Sequence, residues 1–110
     1  LVILDCAPIT FGDHVFIAPN CCFSAAGHPL DVEQRNAGLE IALPITVGNN
    51  VWIGAGVTVL PGVTIGDNTV IGAGSVVTRD IPSGVVAVGN PCRVLREITE
   101  EDKYKYKLAP

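Results

Sequence analysis

Val47–Pro82 reads VGNNVW IGAGVT VLPGVT IGDNTV IGAGSV VTRDIP, six units of six residues in unbroken register. The first position is always aliphatic and β-branched: Val47, Ile53, Val59, Ile65, Ile71 and Val77. The second is usually glycine, and the fifth (Val51, Val57, Val63, Thr69, Ser75, Ile81) is small or β-branched. A period of six matches neither the 2.0 of a plain strand nor the 3.6 of an amphipathic helix. It fits a short strand followed by a corner, with the glycine relieving the Cβ clash of the turn. The Asn and Asp of Gly48–Asn50 and Gly66–Asn68 supply turn chemistry. Strands joined by corners and stacked coil on coil make a parallel β-solenoid with rungs about 4.8 Å apart. If three units close a triangular coil, residues eighteen apart stack: Val47 on Ile65, Ile53 on Ile71, Val59 on Val77.

Upstream the same phase holds in FGDHVF and IAPNCC, from Phe11 and Ile17, and then in Phe23. It breaks at Ser24–Pro44, SAAGHPLDVEQRNAGLEIALP, and resumes with ITVGNN. Long loops in compact domains are usually functional or disordered, and this one carries His28. Open solenoid ends expose strand edges, so a C-terminal cap is expected from roughly residues 92–107. The charged tail EITEEDKYKYKLAP reads as a short packing element without a motif, fraying at its end.

With 110 residues the chain is one domain at most. It is apolar and aromatic-poor, with mean hydropathy +0.43, as an ordered β protein requires. Its net charge of −4 offers no nucleic-acid surface. No apolar run is long enough to span a membrane as a helix, and no signal-peptide pattern opens the chain. Cys6, Cys21, Cys22 and Cys92 show no zinc-ligand spacing and read as reduced thiols of a cytoplasmic protein. The chain has no methionine and begins mid-strand in character, LVILD, so natural sequence is expected before residue 1.

The hexads, the NNVWIG segment, the GNPCRVLREI ending and a GHP inside a loop after an APN-containing coil together resemble the hexapeptide-repeat acetyltransferases. The likeness is to the maltose and galactoside O-acetyltransferase group, and it covers nearly the whole chain. It implies an all-β, left-handed parallel β-helix over residues 1–96, with the loop inserted at about 24–44 and a C-terminal tail at 97–110. That handedness opposes the usual right-handed crossover rule. It also implies acetyl-CoA as donor, a sugar hydroxyl as acceptor, no metal, and a homotrimer with active sites between subunits. Family members are longer, with an N-terminal helical segment, further coils and an active-site Asn that would precede residue 1. An acidic acceptor contact of some relatives falls where Cys6 stands, beside Asp5.

Attack by a neutral hydroxyl on a thioester needs a base to take its proton, and a positioned imidazole is typically worth about 10²–10⁴-fold. His28 matches the family's base, which acts in a direct transfer with no acyl-enzyme; Glu40 or a backbone carbonyl would orient its ring. The loop is expected to carry His28 into a neighbouring subunit's cleft. The resemblance carries donor contacts onto Ala55 (its backbone N–H), Ala73, Thr78, Arg79, Arg93 and Arg96. Trp52 reads either as interface packing or, with Asp5, as a wall of the acceptor site. Arg93 and Arg96, three apart, would both point outward from one extended or turning segment. His14 stands at a corner and is given no role.

Other readings are a coenzyme-A-binding trimeric solenoid that is catalytically incomplete, or a relative acting on serine, an antibiotic or a sugar nucleotide. A zinc-dependent carbonic anhydrase on this fold needs three histidines, and the chain has two. An ice-binding solenoid needs a regular Thr array, which Trp52 and Pro82 interrupt.

Overall fold

The computed structural model describes residues 1–106, and the chain winds as a three-sided prism of short parallel strands. The first face holds Val2–Leu4, Cys22–Ser24, Thr58–Val59 and Val76–Val77; the second holds Ile9–Phe11, Ile45–Val47 and Thr64–Ile65. The third holds Phe16–Ile17, Trp52–Ile53, Val70–Ile71 and Val85–Gly89, and ends with Cys92–Glu97 returning antiparallel. The coil is a left-handed parallel β-helix. Register confirms the eighteen-residue stacking: Ile65 lies on Val47, Ile71 on Ile53 and Val77 on Val59.

The hexad makes this architecture because its first and fifth positions both point inward. Val47, Val51, Ile53, Val57, Val59, Val63, Ile65, Ile71, Val77 and Ile81 are all buried. Each contributes about 1.5–3 kcal/mol over an exposed side chain. Thr69 and Ser75 take fifth positions without penalty. The Thr69 hydroxyl donates to the carbonyls of Asp67 and Pro82, and that of Ser75 to the Gly72 carbonyl. At Gly54 an added Cβ would lie 2.6 Å from the Ala73 backbone nitrogen of the next coil, so the corner admits only glycine.

Across the loop the spacing doubles: Phe11 lies on Val47, Ile17 on Ile53 and Phe23 on Val59, thirty-six residues apart. The insertion therefore adds one coil's length of chain and leaves the phase intact. Its stem is a two-stranded hairpin, Ala26–Gly27 against Ile41–Ala42. Its tip holds a short helix, Val32–Asn36, capped by the Asp31 carboxylate, which accepts from the Gln34 N–H at 2.9 Å. The Arg35 guanidinium donates to the carbonyls of Pro29 and Leu30 and closes the tip.

The cap arrives as expected, through the antiparallel pairing of Cys92–Glu97 with Val85–Gly89. The tail does more than fray. A 3-10 helix at Glu100–Tyr104 carries a capping box, with Thr99 and Asp102 satisfying each other's backbone N–H groups. The tail's expected frayed end lies outside the described residues.

Candidate functional site

Three corners separate the faces, and their chemistry differs. The corner from second to third face carries Asp13, Asn49, Asp67 and Ser83 in one column. The N–H of Asp13 donates to Asn49 Oδ1 at 2.7 Å, that of Asn49 to Asp67 Oδ1 at 2.7 Å, and that of Asp67 to Ser83 Oγ at 2.9 Å. Each turn's free donor is thus taken by the coil above. The residues following them, His14, Asn50, Asn68 and Gly84, adopt φ of 55–75°. That is left-handed space, which Asn, His and Gly tolerate better than other residues. His14 therefore fills a conformational role that Asn fills in the next two coils.

The corner from third to first face carries Ala55 and Ala73 at the equivalent position, and both are exposed. Alanine has no acceptor to offer. Among the described residues, the N–H groups of Ala55 and Ala73 have no hydrogen-bond partner. Unpartnered donors in adjacent coils, at two expected donor-contact positions, are free to bind carbonyl oxygens. The reason is readable: the hexad's third residue changes from Asn or Asp to Ala.

The corner from first to second face gathers the loop with Asp5, Thr78 and Arg79, all exposed. Loop and coil touch where Leu43 packs near Gly62 and Pro61 near Gly27. His28 is exposed, and the hairpin register, Gly27 opposite Ile41, sets Glu40 across from it. No hydrogen bond joins the two, and among the described residues neither ring nitrogen of His28 has a partner. The orienting role expected of Glu40 is not visible within one chain.

On the third face the outward row runs Phe16, Trp52, Val70, Val86 and Arg96, one residue per strand. Phe16 is 72% and Trp52 55% exposed, which is costly for such large rings on a lone chain. With His14 and Asn50 they line an open depression of about 380 Å³. A second hollow of about 290 Å³ is lined by Trp52, Val70, Val86 and Ile98 together with Arg96, Asp102, Lys105 and Tyr106.

Arg93 and Arg96 do point to one side, for a reason the spacing conceals. A β-bulge slips the register so that Val88 faces Arg93 while Val86 faces Arg96, and Leu95 is the extra residue. A regular strand would turn residues three apart to opposite faces. Arg96 is held by Asp102 through two parallel hydrogen bonds of 2.8 and 3.0 Å, and Lys105 approaches the same carboxylate at 3.1 Å. The Arg96 guanidinium, the Thr99 N–H and Lys105 hold the Asp102 carboxyl well below the usual carboxylate range. The expected residues therefore fall into three sets: His28, Asp5, Thr78 and Arg79 on one edge; Ala55 and Ala73 on another; Trp52, Arg93 and Arg96 on the third face. Among the described residues, His28 lines neither of the two hollows that Trp52 lines.

Residues 44–79 match the bacterial transferase hexapeptide family of six repeats. A Saccharomyces cerevisiae protein named as a candidate acetyltransferase is 65% identical over 93% of this chain and 52% of its own length. The galactoside O-acetyltransferase of Escherichia coli is 58% identical over 96% of this chain and 52% of that protein. A solved galactoside acetyltransferase in complex with coenzyme A superposes with a TM-score of 0.92 at 58% identity, covering 96% of this chain and 53% of that one. The chain spans about half the length of the curated relatives it matches. By repeat, coil and likeness, the chain is similar to the hexapeptide-repeat acetyltransferases, and along nearly all its length to a galactoside O-acetyltransferase.

Proposed function

We propose that the protein is an O-acetyltransferase that moves the acetyl group of acetyl-CoA to a hydroxyl of a sugar of the galactoside or maltose type. The observation that carries this reading is the pair of unpartnered N–H groups at Ala55 and Ala73, on the corner that follows an apolar row ending in a cation. Trp52 and Arg96 are three strand spacings apart, about 14 Å at 4.8 Å per rung. That span suits a long donor with its thioester near Trp52 and its phosphates near Arg93 and Arg96. Thr78 and Arg79 would hold the donor from the other edge, and Asp5 would face the acceptor with Trp52.

In the reaction His28 takes the sugar hydroxyl proton while that oxygen attacks the thioester carbonyl carbon. The negative charge moves to the carbonyl oxygen, where the Ala55 N–H donates to it. Collapse of the tetrahedral intermediate expels the coenzyme thiolate, which recovers the proton from the imidazolium. No acyl-enzyme forms.

The separation of His28 from Trp52 supports a homotrimer in which the loop edge of one copy meets the third face of the next. Phe16, Trp52 and Val70 would then be covered. Four unpaired thiols and an acetyl-CoA donor favour the cytoplasm. The absence, among the described residues, of any hydrogen-bond partner for the His28 ring favours one second reading: a trimeric coenzyme-binding solenoid that is catalytically incomplete.

The test is acetyl-CoA-dependent acetylation of glucose, maltose and a galactoside by mass spectrometry, with His28→Ala alongside. The parent forms acetyl sugar, and the variant loses about 10²–10⁴-fold in rate. Coenzyme A binding without product from either would select the second reading. Equal product from both would remove His28 from the mechanism.

A further inference from the structure

The Arg96–Asp102 pair is built more firmly than an ordinary surface ion pair, which orders little. Asp102 Oδ1 accepts from Nη2 at 2.8 Å and Oδ2 from Nη1 at 3.0 Å. The second Nη1 hydrogen goes to the Glu97 carbonyl at 2.9 Å. Oδ2 also takes the Thr99 N–H at 2.8 Å, so the carboxylate is fixed by the backbone of its own 3-10 turn. This accounts for three of the five guanidinium hydrogens. The two remaining, on Nε and on the outer side of Nη2, lie along a single edge of the guanidinium plane. Among the described residues nothing occupies them. A second oxyanion can dock on that edge with the same fork geometry that Asp102 uses on the end.

Lys105 converges on the same carboxylate, at 3.1 Å from Oδ1. Two cations thus share one anion where they line the hollow with Trp52, Val70 and Val86, and Glu97 and Glu101 line an adjoining hollow with the same three groups. The bulge at Leu95 brings Arg96 to this side. Asp102 then decides which edge of it is presented.

We propose that Asp102 is a positioning residue for the donor: it locks Arg96 with its Nε–Nη2 edge open to a coenzyme phosphate and holds Lys105 beside it. The tail is on this account part of the donor site. The inference rests on the assignment of the third face to the acetyl-CoA donor.

The experiment measures binding of coenzyme A, and of pantetheine, which has no phosphate, to the full chain by calorimetry at about 0.1 M salt. The variants are Asp102→Asn, Asp102→Glu and Arg96→Ala. Asp102→Asn is expected to weaken coenzyme A about tenfold and leave pantetheine unchanged, with Asp102→Glu recovering part of the loss. Arg96→Ala should weaken coenzyme A at least as much. Unchanged coenzyme A affinity in Asp102→Asn, with Arg96→Ala weakened, overturns the positioning role and spares the donor assignment. Tighter coenzyme A binding in Asp102→Asn would show the carboxylate competing with phosphate, and equal losses for both ligands would show a purely structural tail; either overturns the proposal. Full affinity in Arg96→Ala would remove this end of the third face from the donor site, and the proposal with it.

Discussion

The four thiols sit in environments that should order their reactivity. Cys6 is exposed and Cys22 half-buried, whereas Cys21 and Cys92 are buried. Burial pushes the Cys92 thiol up, against smaller downward pulls from the Ser75 hydroxyl and Arg93. The thiolate is the nucleophile, so alkylation followed by mass spectrometry should modify Cys6 first and Cys92 only on unfolding. The same shift has a stability sign. The folded chain holds the Cys92 proton to higher pH than the unfolded chain does, so this stabilisation is full below the ordinary thiol pKa of about 8.5. It is lost as pH rises through the folded value. Urea midpoints should therefore fall on the alkaline side, and less steeply in a Cys92→Ala variant. At this scale the sequence was legible where one residue type does one job. His14 shows why its role was not: nothing in its identity announces φ of 56°.

Among elements, the Asp13–Asn49–Asp67–Ser83 column ties successive coils by side-chain acceptors. Asp67→Ala removes the acceptor for the Asn49 N–H while leaving the buried hexad positions untouched. We expect a loss of about 0.5–1.5 kcal/mol, read from urea unfolding. Acetylation should persist, because the column stands on a different corner from Ala55 and Ala73. The strands and corners were readable because every first-position column repeats the same aliphatic chemistry at eighteen residues. The loop's helix was readable in principle from D-V-E-Q, an N-cap followed by Gln at the third helical position, and the tail's from T-E-E-D. The bulge at Leu95 was not: neither glycine nor proline marks it, and only pairing with Val86 and Ala87 creates it.

For the whole molecule, the exposure of Phe16 and Trp52 is the feature that a lone prism does not explain. Light scattering should give three times the chain mass, and the unfolding midpoint should rise with protein concentration, as mass action requires of an oligomer. Trp52→Glu places a charge on the third face and should yield monomer; a monomeric parent would defeat the intersubunit site. Sequence reasoning expected a loop serving a neighbour, but how the site residues divide among edges and faces depends on which side of the prism each hexad occupies.

The regular stacking also turns the prism into a ruler graduated in rungs. The distance from Trp52 to Arg96 takes only whole multiples of about 4.8 Å, because every coil contributes one step and none contributes a fraction. Excising residues 54–71 joins Ile53 to Gly72 in phase and shortens the scale by one mark. The Ala73 corner then replaces that of Ala55. The length of donor that fits between ring and guanidinium would be reset by a whole rung at a time, with no change in the chemistry at either end.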